Sequence, residues 1–572
     1  MKNYKLCWMT FFSLPFLTIF ANEHKFDFSE EKRPNILFFI VDQWRAETGY
    51  ETEEMQQWLR KNLTFTTMLG EKGTIFHHHY ANSNGCVPSR TCMHTSQYPN
   101  VTGVTQTDGA AKPANSPEMT WLPPFTTPTM GNYFEKAGYK TSLIGKWHVS
   151  NASIQFDDGS YLSPFDQTGK IIQRYVQFYK EKNVLKDFGY PHWVGNEPEG
   201  SSPLNSGSST TPPAKGRDSQ YVQFALERLN ELKKTDDPWF QIVSFVNPHD
   251  ISHYGIITTN NKAAGWDFPI DPTLPEKIFK PEFQLSLHES LQNNKPLIQR
   301  LYRDLYPVAF QPIGELDPYY RVYYTLQKTV DQYMQKVWDK LVKEGLDKNT
   351  VVVFTSDHGE LLSAHGRMFQ KWYQFYEEAW HVPLIIYAPQ ITNEHQDVYS
   401  LTSHIDLLPT YLDFAGANEE KIRLEFNKNF SLNMPLAGKS LVSLLKNPKK
   451  GGEREFYGYT EDNIFVGSNQ ISGLCQPYPT LPEPSAVEGL VTYLEGDLWK
   501  IAHTYDPFGH CGNIPGISFE IYNLTKDPME LNNLFDKAKY SQIQSLLQER
   551  LLHKSSIYRI TPGEAKEQEG GE

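Results

Sequence analysis

Four strand-forming stretches, each closed by polar residues at its C-terminal end, restrict what this chain can fold into more than any other feature. After Pro34-Asn35, Ile36–Val41 reads Ile-Leu-Phe-Phe-Ile-Val without a break and stops at Asp42-Gln43. A run with no polar alternation has no face to give to water, so it predicts a strand buried on both faces of a parallel sheet. Lys140–Ile144 follows a short helix that ends near Gly138, and it stops at Gly145-Lys146-Trp147-His148. Phe240–Val246 follows a helix expected over Ser219–Leu232, with Val222, Phe224, Ala225 and Leu229 on its apolar side, and stops at Asn247-Pro248-His249-Asp250. Thr350–Phe354 follows the clearest amphipathic helix, marked by Leu326, Val330, Met334, Val337 and Leu341 and closed by Gly345, and stops at Thr355-Ser356-Asp357-His358. Helices alternating with strands give a large, mostly parallel α/β sheet flanked by helices. Such sheets collect their chemistry beyond the C-terminal ends of the strands.

Any one of these ends is ordinary, since an Asp-His pair also reads as a cap beside a satisfied core histidine. Four at one edge are not explained by packing. Asp42 and Asp357 offer carboxylate oxygens, Gln43 an amide oxygen and His358 an imidazole nitrogen. Oxygen-rich ligands favour calcium or magnesium, while a nitrogen leaves manganese open. Lys146, His148 and His249 complete the edge.

The remaining polar constellation is Gly85-Cys86-Val87-Pro88-Ser89-Arg90, after the small and turn-forming residues Ala81–Gly85. A helix starting at Pro88, where a missing N–H costs nothing, puts Cys86 at its mouth beside orphan backbone donors that favour anions. Arg90 falls one turn in. A nucleophile there, with a fixed fork of donors, suits attack on a tetrahedral oxyanion such as sulfate or phosphate. A buried structural cysteine before a short helix is the other reading of the same spacing.

Cys86-x-Pro88-Ser89-Arg90 resembles the signature of the formylglycine-dependent sulfatases of the alkaline-phosphatase-like superfamily. The resemblance implies that Cys86 is converted to formylglycine by the formylglycine-generating enzyme, which reads Pro88 and Arg90, and that Arg90 steadies the nucleophile. Where the family usually continues Thr-Gly-Arg-Tyr-Pro, this chain has Thr95-Ser96-Gln97-Tyr98-Pro99. It also implies one divalent cation, calcium ahead of manganese or magnesium, held by Asp42, Gln43, Asp357 and His358 with the matured Cys86. The Asp-Gln and Asp-His pairing looks more like the choline-sulfatase and phosphonate-monoester-hydrolase branches. Lys146 and Lys371 are then expected to hold the sulfate oxygens, His249 to protonate the leaving oxygen and His148 to bond the formylglycine diol. His365 and Arg367 are weaker substrate-contact candidates. The implied activity is hydrolysis of a small-molecule or glycan sulfate ester, with a phosphodiesterase or phosphonate monoester hydrolase as the alternative. "IYNLTKDPMELNNLFD", Ile521–Asp536, is similar to the closing segment of sulfatases.

A formal net charge of -13 with no long Lys/Arg run argues against nucleic acid as the main partner. Met1-Lys2-Asn3-Tyr4-Lys5 and the largely apolar Leu6–Ala21 read as a leader peptide over 1–21 that sends the chain to the periplasm or outside the cell. The apolar stretch Leu6–Ala21, 16 residues, is shorter than the roughly 20 residues a membrane span needs, and no later run is long enough, so no transmembrane segment is expected in the mature chain. The catalytic domain is expected over 34–420. A smaller C-terminal α+β domain over 450–560 is expected from the short alternating runs at Glu455–Tyr459, Gly489–Leu494 and Leu498–His503, with a helix near Tyr540–Leu551 and a charged, disordered tail over 563–572. Residues 196–217, rich in Gly, Ser, Thr and Pro, read as a surface excursion. Residues 254–318 read as loops and short helices around a pocket rim. Cys475 and Cys511 could pair in an oxidising compartment.

Overall fold

The structure, a computed structural model, describes residues 33–564 except 199–201, 293, 393, 450–453, 473–474 and 509–517. The expected leader, Cys511 and most of the expected tail lie outside the described residues. In chain order the strands are β1 (Asn35–Asp42), β2 (Thr74–Phe76), β3 (His79–Tyr80), β4 (Lys140–Gly145), β5 (Trp239–Pro248), β6 (Thr350–Ser356), β7 (Leu384–Tyr387), β8 (Gln396–Val398) and β9 (Thr402–Ser403). They continue with β10 (Phe456–Thr460), β11 (Ala486–Leu494), β12 (Asp497–Tyr505) and β13 (Phe519–Asn523).

The four strands read from sequence are neighbours in the large seven-stranded sheet, whose order is β4-β5-β1-β6-β7-β2-β8. β4, β5, β1 and β6 all run parallel, so their polar C-terminal residues gather at one edge. Register sharpens this. Val41 lies opposite Ser356 and Asp42 opposite Pro248, which brings Asp42 level with Asp357 on one side and next to His249 on the other. β7 runs antiparallel to β6 and β2, the one reversal in a sheet expected to be mostly parallel. At the end of β4, Gly145 has φ 96 and a Cβ there would meet the Ser244 carbonyl oxygen at 2.0 Å, so only glycine fits this close pairing.

The absence of alternation in β1 has the expected cause. Ile36, Phe38 and Ile40 pack on one face with Met130, Tyr133 and Tyr411. Leu37, Phe39 and Val41 pack on the other with Val330, Met334 and Val337 of the long helix Leu316–Lys343. None of the six is exposed, and each fully buried side chain of this kind stabilises the fold by about 1.5–3 kcal/mol. The smaller sheet, β10-β11-β12-β13, is antiparallel throughout, with the helix Ser541–Tyr558 against it. Among the described residues no helix is long and apolar enough to cross a membrane.

Three expectations need correction. The helix carrying Cys86 runs Cys86–Thr95, starting two residues before Pro88. Pro88 is tolerated at the third helical position because N–H groups in the first turn have no intrahelical acceptor. Residues 254–318 contain a 13-residue helix, Leu297–Ala309, despite Pro307 inside it. Residues 196–217 are not merely superficial: Glu197, Ser206, Ser209 and Arg217 are buried, and Asp250 holds the backbone N–H groups of Gly207, Ser208 and Ser209.

The long helix also caps a neighbour. Asp331 accepts from the backbone N–H groups of Phe65 and Thr66, each at 2.9 Å, in the first turn of the helix Thr64–Lys72, whose own N-cap residue makes no side-chain bond. Removing a buried acceptor strands both donors, at about 1–3 kcal/mol. D331A should therefore lower the unfolding free energy read from urea titration by an amount in that range, and D331N, which keeps one acceptor oxygen, by less.

Candidate active site

The nucleophile turn begins at Gly85, the N-cap residue of the helix Cys86–Thr95, where a Cβ would meet Asp462 Oδ2 at 2.4 Å. Every residue of that helix is buried. Its first bond runs from Ser89 N–H to the Gly85 carbonyl at 2.9 Å, and Ser89 Oγ donates to the Asp357 carbonyl at 2.5 Å. Ser96, at the family's usual glycine, is left-handed (φ 54). Its strain, of order 1–2 kcal/mol for a residue with a Cβ, is offset by its hydroxyl, which donates to the Ile405 carbonyl at 2.6 Å and accepts from Gly438 N–H.

Arg90 reaches back under the strand ends. Nε donates to Asp357 Oδ2 at 2.8 Å, Nη2 to Asp42 Oδ2 at 3.2 Å, and Nη1 to Ser244 Oγ at 2.9 Å and the Lys146 carbonyl at 3.1 Å. Lys146 Nζ lies 2.6 Å from Asp42 Oδ2. Cys86 Sγ stands 3.1 Å from both His358 Nε2 and Lys371 Nζ, and those two nitrogens are 2.8 Å apart. Asn84 Nδ2 donates to the Lys371 carbonyl at 2.5 Å, locking the lysine's segment to the residue before Gly85. Burial pushes the Asp42 carboxyl up, but Lys146, His249 and Arg90 outweigh it and hold the group well below the usual carboxylate range. Burial and the Asp42 charge push the Cys86 thiol up, and Lys371, His358 and Lys146 bring it well below the ordinary thiol range.

One ligand atom each from Asp42, Cys86, Asp357 and His358 lies within 4.8 Å of the others, all buried. Asp42 Oδ1 is fully buried, with His358 Nε2 3.3 Å away. Two carboxylates and an imidazole converging in a buried site fit a divalent cation. Gln43 adjoins the group with its Oε1 3.5 Å from Lys371 Nζ.

His249, half-buried just past β5, acts electrostatically on Asp42. His148 has a left-handed backbone (φ 52). Its Nε2 meets Asp108 Oδ1 at 2.6 Å, and the Glu197 carboxylate accepts from the backbone N–H groups of Trp147 and His148 at 3.2 and 3.0 Å. Asp108 and Glu197 escaped the sequence reading because neither lies in a motif or at a strand end; Glu197 sits in the stretch read as a surface excursion. Ser244 was missed as one of two polar residues, with Gln241, inside an otherwise apolar strand.

His365 stands in a cluster of carboxylates. It is fully buried, its Nδ1 is 2.8 Å from Glu289 Oε2 and its Nε2 3.3 Å from Glu378 Oε2, and its ring stacks on Tyr376 with centroids 3.6 Å apart. Both nitrogens are engaged by carboxylates. Arg367, by contrast, is exposed on the same loop.

Comparison with known proteins fits this site. A family model described as Sulfatase matches residues 34–417. The uncharacterized sulfatase YidJ of Escherichia coli K12 is 25% identical over 91% of this chain and 87% of its own length. The N-acetylglucosamine-6-O-sulfatase of Bacteroides thetaiotaomicron is 24% identical over 96% and 90%. The solved structure of a 2-O GAG sulfatase superposes with a TM-score of 0.60 at 21% identity, covering 92% of this chain and 93% of that one. The chain belongs to the sulfatase family, in the alkaline-phosphatase-like superfamily, and is a sulfuric ester hydrolase.

The His365 cluster has a consequence for pH. Burial pulls the imidazole down, but Glu378 and Glu289 outweigh that and raise it to about 9. A group whose value rises on folding from about 6.5 contributes stability that is complete below the unfolded value and lost as pH climbs through the folded one. Urea midpoints should thus fall between pH 7 and pH 10 more steeply for the wild type than for H365Q, which starts lower and lacks this titration.

Proposed function

We propose that this sulfatase cleaves a sulfate monoester with Cys86 matured to formylglycine and one divalent cation, calcium ahead of manganese or magnesium, held by Asp42, Gln43, Asp357, His358 and the matured side chain. The observation that carries the reading is Cys86 Sγ at a helix mouth, 3.1 Å from both His358 Nε2 and Lys371 Nζ, inside a buried ring of carboxylates and cations. Sγ stands in for the oxygen that formylglycine would carry. That hydrated aldehyde supplies one oxygen to take the sulfuryl group and a second whose deprotonation expels sulfate. The cation, when bound, neutralises charge on the ester and lowers the pKa of the attacking hydroxyl.

Arg90 fixes both carboxylates and so the position of the nucleophile. Lys146 and Lys371 bring positive charge to the sulfate oxygens, where it counts most as charge develops. His249, half-exposed at the mouth, is the acid for the leaving oxygen. His148, its Nε2 engaged by Asp108, bonds the diol. Arg367, exposed near this loop, contacts the organic part of the substrate. A sulfated sugar is the substrate class favoured by the name of the N-acetylglucosamine-6-O-sulfatase above, and His253 stacked on Trp266 with centroids 4.6 Å apart offers a flat ring face next to His249. The apolar leader over 1–21 supports export to the periplasm or beyond.

Protein made with a competent maturing system should carry a Cys86 peptide about 18 Da lighter than the thiol form, oxygen having replaced sulfur and two hydrogens. It should release sulfate from sulfate esters faster than it cleaves phosphodiesters, and C86A should bind substrate without turnover. Unmodified Cys86 in fully active enzyme would overturn the mechanism. Aldehyde with faster phosphodiester cleavage would instead favour the phosphodiesterase alternative.

General acid catalysis is worth roughly 10²–10⁴-fold where the leaving group needs a proton. H249A should accordingly lose that much on sugar or alkyl sulfates and far less on nitrophenyl sulfate, measured as kcat/KM. Equal losses on both would move the acid elsewhere.

A further inference from the structure

We infer that Glu360 is a positioning residue that decides which end of the Gln43 amide faces the nucleophile, holding its oxygen there for the cation. The inference rests on the reading of Gln43 as a ligand given above. Glu360 is fully buried just after Asp357-His358, and its two oxygens have separate duties. Oε1 accepts three bonds, from Leu362 N–H at 2.9 Å, Gln370 N–H at 2.8 Å and the Tyr319 hydroxyl at 3.1 Å. Oε2 accepts only from Gln43 Nε2, at 2.5 Å.

An amide is almost the same shape either way round, so its neighbours choose its orientation. An ionised carboxylate can only accept. Gln43 must therefore offer its NH2 group to Glu360, and its Oε1 is turned the other way, 3.5 Å from Lys371 Nζ. The main chain cannot rotate to undo this. Gln43 has φ 71, its N–H donates to Asp357 Oδ1 at 3.2 Å and its carbonyl accepts from the Tyr323 hydroxyl at 3.0 Å.

The division of labour makes E360Q unusually informative. Three donors pin the amide oxygen of residue 360 in the Oε1 place, so its NH2 group must take the Oε2 place and face the NH2 of Gln43. Two donors cannot share that contact. Gln43 flips, and its NH2 group then points at Lys371 and at the cation's position. Q43E added to E360Q removes the conflict: one carboxylate oxygen accepts from the new amide and the other faces the site.

The test is titration of Ca2+, and separately Mn2+, into the metal-stripped full chain by calorimetry, with all variants in the same state of Cys86 maturation. Disturbing the partner that orients a metal ligand commonly costs 10–100-fold in affinity, and E360Q should lose that much. Q43E should recover most of it in the E360Q background and give no gain in the wild-type background, where it sets two carboxylates face to face. Because E360Q keeps all three loop bonds, its urea midpoint without cation should match the wild type. Wild-type affinity in E360Q, an equal effect of Q43E in both backgrounds, or unfolding of cation-free E360Q would each overturn the inference. D357A separates the two levels. Lost binding in D357A with none lost in E360Q removes only the role of Glu360, whereas unchanged binding in D357A removes the cation site itself.

Discussion

One guanidinium ties four neighbouring parallel strands of the large sheet together. Arg90 bonds Asp42 at the end of β1, Asp357 just past β6, Ser244 within β5 and the Lys146 carbonyl just past β4, all out of contact with solvent. Only arginine presents enough donors in a fixed plane to do this, and lysine in its place would leave most of these acceptors unmet. A buried charge is tolerated when paired and fully hydrogen-bonded, so the site's electrostatics and the alignment of the sheet edge stand or fall together. The nucleophile helix is seated by the same side chain. Its orientation over the strands is thereby set by the groups on which its chemistry depends.

Lys371 depends on a different support. It sits in a loop where Leu362, Ser363, His365, Arg367, Gln370 and Tyr373 are all left-handed without being glycine, a cost of order 1–3 kcal/mol each that must be met by surrounding contacts. Glu360 bridges the loop's two arms. Beyond it the smaller sheet takes over: Lys500 of β12 donates to the Phe375 carbonyl at 2.9 Å and pairs with Glu377 and Glu530, each at 2.8 Å. The Tyr376 hydroxyl reaches Glu520 of β13 at 2.9 Å. The C-terminal sheet thus braces a strained segment of the active site, which explains why so many charged groups are buried where the two sheets meet.

The residues around His148 follow the same logic on the opposite flank. A left-handed histidine at the end of β4 would be free to relax if its backbone were unpaired. Glu197 accepts both N–H groups of that turn and Asp108 takes Nε2. Asp250 and Asp218 do similar work beside His249, the first fastening Gly207–Ser209 and the second accepting from Val246 and Asn247 N–H groups. Carboxylates on separate loops and helices fix the backbones beside the residues expected to meet substrate.

The sequence by itself determined the central sheet and its reactive edge. The apolar run Ile36–Val41, with no alternation, admits only a strand covered on both sides, and polar residues at the ends of four neighbouring parallel strands have one place to meet. That reasoning reached Asp42, Gln43, Lys146, His148, His249, Asp357 and His358, while Cys86 and Arg90 were legible from a local motif. Tertiary structure alone decided the rest. Asp108, Glu197 and Glu289 carry no periodicity and sit in no motif, and Glu360, although it follows Asp357-His358, carries no mark of its partner, because a carboxylate that braces a distant group is chosen by what arrives opposite it. Glu360 to Gln43 spans 317 positions, a distance over which local pattern carries no information. The surroundings of His365 were illegible for the same reason: its place among Glu289, Glu378 and Tyr376 comes from chain crossings that bury it between two carboxylates.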